Sequence, residues 1–156
     1  MISRFIKTFS IVAIFLSLFV FANNAFALSS TFFPNREHLS VIFPGQKSID
    51  VAVSNTQAQR ELGLGFVKKI SDKNGMLFIF KKSDWYAFWM KDMYIPIDII
   101  FIDESKVVTD VYKKVSPYSF PKIYNPSKKI KYVLEINSGN SSKLGIKVGQ
   151  KIIFSK

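Results

Sequence analysis

From Ser48 the chain alternates, with Ile49, Val51 and Val53 set against Asp50, Ala52 and Ser54. That is the two-residue period of a half-buried strand. Asn55 or Thr56 can then cap a short helix running to Gly63, with Ala58 and Leu62 four apart on one face, and Gly63 and Gly65 stop it. After a polar turn at residues 71–74, Gly75 leads into Met76-Leu77-Phe78-Ile79-Phe80, a second strand too apolar to be exposed on both faces. A further apolar segment, residues 88–93, precedes Pro96. Residues 97–102, the turn Asp103-Glu104-Ser105 and the returning run 106–112 then read as a hairpin. Residues 132–136 are another strand, 137–140 a turn and 148–154 the last strand. Many short strands and one helix, with no repeats, predict a mainly β fold: a small antiparallel sandwich or barrel.

The first 27 residues follow a different pattern. Arg4 and Lys7 precede an apolar run over residues 9–22, broken only by Ser10 and Ser17, and Ala25-Phe26-Ala27 closes the stretch. Positive n-region, apolar h-region and small-x-small end are the order of a cleavable secretory signal, and the run is too short to cross a bilayer. The expectation is an exported protein, periplasmic or extracellular, cut after Ala27. It would consist of an N-terminal arm over residues 28–46 with at most one short strand near 39–43, and a single domain over 47–156. There is no cysteine, so neither a lipid-bearing cysteine nor a disulfide can form.

The net charge of +11 owes only two units to the signal, and beyond it Arg36 and Arg60 are the only arginines. Lysine-dominated charge favours diffuse attraction over bidentate recognition. The partners it suits are an anionic envelope component or another protein, with membrane contact at most peripheral; nucleic acid is a poor partner for an exported chain. One histidine, His38, and no cysteine do not make a metal site, and no phosphate loop or dinucleotide fingerprint occurs, so no cofactor is expected.

Five blocks, Glu61-Leu-Gly-Leu, Gly75-Met-Leu-Phe-Ile-Phe, Phe88-Trp-Met-Lys-Asp, Ile95-Pro-Ile-Asp-Ile-Ile-Phe-Ile-Asp and Val133-Leu-Glu-Ile-Asn-Ser-Gly, occur in an order that closely resembles the bacterial and archaeal family called domain of unknown function 192. The resemblance runs from about Ile49 to the C-terminus. It implies a compact, mainly β domain of jelly-roll-like or barrel-like form, often behind a signal peptide, with no established catalytic activity. The chain departs from the family's pattern at Gly65, where methionine is usual, at Asp92-Met93, where Asn-Thr is usual, and at Gln150, where an acid is usual. A ligand served by the Asn-Thr pair would be altered or lost here.

Two acids sit in apolar strands. Asp98 lies among isoleucines on the face of Ile100 and Ile102, and Glu135 lies within Tyr132-Val-Leu-Glu-Ile. A buried carboxylate needs hydrogen bonds or a counter-ion. On one reading Asp98, Lys91 and Asp92 form a polar cluster at the mouth of a pocket walled by Phe88, Trp89 and Met90; on the other Asp98 is a buried strut at the bend made by Pro96. If Asp98 and Glu135 converge, they form a carboxylate pair suited to a hydrolase or lyase acting on envelope polysaccharide. Residues 113–131 carry six lysines, three prolines and no acid, with Tyr118, Phe120 and Tyr124 interleaved. Such a loop suits sugar stacking or anionic polymers, or else folds its aromatic rings onto the core. Three functions follow: a non-catalytic binding module with a Trp-lined cleft and the basic loop as its rim, an enzyme using Asp98 and Glu135, or an envelope protein localised by charge alone.

Overall fold

The structure, a computed structural model, describes residues 33–156, of which Asn35–Lys156 form one compact unit. The expected signal peptide and the first residues of the expected arm lie outside the described residues. Seven strands, β1 (His38–Ile42), β2 (Ser48–Ser54), β3 (Asn74–Asp84), β4 (Ile97–Ile102), β5 (Val108–Val115), β6 (Ile130–Asn137) and β7 (Ile153–Ser155), form one sheet in the order β5-β4-β6-β3-β2-β1-β7. Among the described residues there are two short α-helices, α1 (Gln57–Leu62) and α2 (Asn140–Lys143).

The mainly β architecture is as the hydrophobic pattern predicts, with three corrections. The sheet is mixed: β2 and β3 run parallel, because α1 and the turn after it carry the chain back to the end from which β2 started. The short strand expected near residues 39–43 is present at 38–42, but it is a full member of the sheet between β2 and β7, so this part of the expected arm belongs to the domain. The run 148–154 serves two partners: Lys151 bridges Val107 while residues 153–155 pair with β1. This crossing segment, tied by Val108 N–H to the Gln150 carbonyl at 2.8 Å and Ile152 N–H to the Lys106 carbonyl at 3.0 Å, draws the two sheet edges together without closing a barrel.

The helix boundaries follow local chemistry. The Thr56 hydroxyl accepts the Gln59 N–H and the Gln59 side chain accepts the Thr56 N–H, a reciprocal cap that satisfies two otherwise orphaned donors. Gly63, at φ +51°, stops the helix where a side chain would be strained. Ala58 and Leu62 do not pack inward; no residue of α1 is buried.

Alternation within the strands sorts the apolar side chains onto two faces. One face carries the main core, built on Val41, Val51, Leu77, Ile100, Leu134 and Ile136 and sealed by Ile146 and Ile152. The other carries Met76 and Phe78 from β3, Ile99 and Phe101 from β4, and Val133 and Glu135 from β6. The ladder sets Met76, Glu135 and Ile99 on one rung and Phe78, Val133 and Phe101 on the next. Residues 62–67 and a strap of residues 85–96 cover this second face. Phe88 packs edge-on against Phe78 at 4.9 Å and Phe101 at 5.8 Å, and Leu64 and Met90 are fully buried beneath the cover.

Candidate functional site: an aromatic cleft over Glu135

Between these two covering segments the second face opens into a cleft of about 370 Å³. Phe78, Phe80 and Glu135 reach it from the sheet, Gln57, Arg60 and Glu61 from α1, Gly63 to Gly65 from the turn after the helix, and Trp85, Tyr86, Phe88, Trp89, Lys91 and Met93 from the strap. Gly63 lets the turn approach closely: a Cβ there would stand 3.2 Å from the Phe78 ring. The Phe80 ring carries Tyr86 stacked at 3.6 Å and 11°, with the Arg60 guanidinium 5.2 Å from its centroid. Trp85 and Trp89 are more than half exposed at the mouth.

Glu135 is the unusual member. It is 4% exposed, flanked across the ladder by the apolar side chains of Met76 and Ile99, and its Oε2 has no hydrogen-bond partner among the described residues. Burial without a compensating cation pushes its carboxyl up from 4.5 to about 8. At neutral pH the group is therefore mostly protonated, a donor and an acceptor at once.

Asp98 has the opposite surroundings. It is fully buried, and its oxygens accept hydrogen bonds from the backbone N–H groups of Lys114 at 2.7 Å, Gly139 at 3.1 Å and Ser141 at 2.9 Å, and from the Ser141 hydroxyl at 2.6 Å. The Lys114 donor is freed by an irregularity in the β4–β5 ladder: Ile97 pairs with Val115 but Ile99 with Tyr112, which leaves one extra residue on β5 opposite Asp98. The strut geometry accounts for every contact of this side chain. Asp98 does not line the cleft, and it leaves the sheet on the face opposite Glu135, so the geometry does not assemble the two carboxylates into a catalytic pair.

Of the residues expected to bind a ligand, Trp89 and Lys91 line the cleft. Met90 lies between them and is fully buried. Asp92 turns the backbone at φ +59°, and its carbonyl accepts the Phe66 N–H at 2.8 Å. The loop aromatics divide: Tyr124 is buried beside Tyr112 at 5.2 Å, while Tyr118 is 93% exposed, and neither reaches the cleft. Sequence reasoning missed Trp85, Tyr86 and the α1 flank. The available signal was density: four of the five residues at 85–89 are aromatic, in a stretch with no strand or helix period. Two of the departures from the family pattern, Gly65 and Met93, border the cleft. The third, Gln150, braces a turn by accepting the Lys147 N–H and donating to the Gly145 carbonyl. Among the described residues no cluster of potential metal ligands occurs, and no helix is long and apolar enough to cross a membrane.

Two solved structures share the fold. A protein of unknown function from Novosphingobium aromaticivorans DSM 12444 superposes with a TM-score of 0.70 at 30% identity, covering 76% of this chain and 84% of its own. A "putative transcription regulator" from Sinorhizobium meliloti 1021 superposes with a TM-score of 0.69 at 27% identity, covering 76% of this chain and 93% of its own. No curated protein matches the chain. Residues 40–154 match the uncharacterised family described as Uncharacterized ACR, domain of unknown function 192. The blocks along β3, the strap, β4 and β6 are thus those of a shared fold, and the chain belongs to the domain of unknown function 192 family.

Proposed function

We propose that the chain is an exported, non-catalytic binding domain whose aromatic cleft seats a flat-faced ligand with an uncharged hydrogen-bonding group turned toward Glu135. The observation that carries this reading is the Glu135 Oε2, without a partner among the described residues and buried in a cleft. A buried polar atom without a partner costs about 1–3 kcal/mol, and a ligand that completes it recovers that cost on binding. A neutral carboxyl suits a hydroxyl pair or an amide, the exposed indoles of Trp85 and Trp89 suit the face of a ring, and Arg60 and Lys91 favour a negative substituent. Acidic and N-acetylated sugars of envelope polymers combine these features. Export is supported by the n-region, h-region and Ala25-Phe26-Ala27 pattern of the sequence.

The chain's two tryptophans both line the cleft, which makes their fluorescence a direct reporter. Titration with a panel of uronic acids and N-acetylated amino sugars should shift the emission and saturate. Glu135→Gln should retain most of the affinity and Glu135→Leu should lose about tenfold or more. A flat response to the whole panel, or full affinity in Glu135→Leu, would sink the reading. Mass spectrometry of the released protein should place its first residue at Leu28.

A further inference from the structure

We propose that residues 116–124 are a docking tip for an anionic lipid surface, separate from the cleft. Within six residues Tyr118, Phe120 and Ile123 are 93%, 50% and 45% exposed. No acid occurs from residue 113 to 131, where six lysines lie. Apolar side chains held in water beside cations are what an interfacial segment requires: rings and a branched chain to enter the headgroup region, and lysines to draw the surface in.

The tip is held rigidly, which distinguishes it from a loose loop that happens to be apolar. The Ser116 hydroxyl accepts the Tyr118 N–H at 3.2 Å, the Ser119 hydroxyl donates to the Ser116 carbonyl at 2.7 Å, and the Lys122 N–H reaches the Ser119 carbonyl at 2.8 Å. Phe88 and Tyr124 exchange backbone bonds at 2.9 and 2.8 Å, and the Tyr112 hydroxyl donates to the Asn125 carbonyl at 2.7 Å. Tyr124 has folded onto the core beside these anchors, so the same segment had the means to bury an aromatic ring and left Tyr118 and Phe120 outside. The acids that face the loop from other strands are outnumbered by its six lysines: Asp110 accepts the Ser127 N–H and hydroxyl, and Asp84 lies 3.7 Å from Lys129. Charge complementarity selects an anionic bilayer as the occupant. The rings and Ile123 distinguish it from an acidic polypeptide, which would use the lysines only.

The chain lacks cysteine, so Tyr118→Cys in the full chain gives a unique attachment point for an environment-sensitive dye. With vesicles of equal parts phosphatidylglycerol and phosphatidylcholine the dye should shift to the blue, and with phosphatidylcholine alone it should not. The N-terminal apolar stretch is common to every sample, so the contrast at position 118 reads the tip. In vesicle sedimentation with the unlabelled chain, Tyr118→Ser with Phe120→Ser should weaken the anionic-lipid-dependent binding about tenfold. Lys114→Gln, Lys122→Gln and Lys128→Gln together should weaken it about a hundredfold, as should added salt by degrees. No lipid-dependent shift at position 118, sedimentation unaffected by the Tyr118 and Phe120 changes, or equal affinity for soluble polyglutamate would each overturn the proposal.

Discussion

Asp98 and Glu135 stand one position apart across the β4–β6 ladder, Asp98 beside Ile136 and Glu135 beside Ile99, and their side chains therefore leave opposite faces of the sheet. One carboxylate is enclosed by four donors and the other by hydrocarbon. Two acids so close in the fold have unrelated jobs, and each makes its own prediction.

Asp98→Asn places an amide nitrogen among N–H and O–H donors, so at least one of the four bonds becomes a donor–donor contact. Destabilisation of about 3 kcal/mol is expected in urea unfolding. The folded fraction should bind in the cleft as the unsubstituted chain does. A loss of binding with unchanged stability would return Asp98 to the list of ligand contacts.

Glu135 should make stability fall as pH rises. Its carboxyl titrates near 4.5 when exposed and near 8 when folded, so across that window the folded chain holds a proton that the unfolded chain has released. Its contribution is most favourable below pH 4.5, declines by about 1.4 kcal/mol for each unit through the window, and levels off above 8. Glu135→Gln should remove this part of the slope. Urea midpoints for the two proteins at successive pH values measure it, and parallel curves would contradict the assigned burial.

Gly75 and Gly149 separate crowding from backbone strain. A Cβ at Gly75 would stand 2.9 Å from the Glu135 carbonyl and 3.0 Å from Ile136 in the middle of the sheet, so Gly75→Ala should cost about 3 kcal/mol. Gly149 has open space but φ +88°, and Gly149→Ala should cost only about 1 kcal/mol. Thermal unfolding of both variants orders the two effects.

Thr56→Ala removes the cap of a helix that buries nothing but borders the cleft. Global stability should drop by about 1 kcal/mol or less, while ligand affinity falls and the amides of residues 57–62 exchange faster with solvent. Unchanged exchange there would mean that the cap is not what holds this wall.

The elements with a clear period or a clear stop signal were readable in the chain: β2 from its alternation, α1 from Thr56 and Gly63, the β4–β5 hairpin from its central turn. The parallel pairing of β2 with β3 was hidden because residues 63–73 have no period and the helix that makes the crossover is short. Helix α2 was hidden for a different reason. Asn140-Ser-Ser-Lys has no apolar stripe, and the segment is held by tertiary bonds, Asn140 to the Asp72 carbonyl at 2.7 Å and Ser141 to Asp98. The acids announced themselves as charges in hydrocarbon, but parity gave only which neighbours share a face. That Glu135 faces an opening and Asp98 a ring of donors depended on a β5 irregularity and on an aromatic strap, neither of which follows from periodicity.

The strand order also sets a timetable for synthesis. β6 lies between β3 and β4, so a nascent chain that has not yet reached Ile130 holds two strand groups, β1 to β3 and β4 with β5, and no ladder to join them. The late arrival of β6 turns these groups into one sheet, and the final residues then bring its two edges together. Through most of its manufacture the polypeptide is therefore available to any factor that must keep it open.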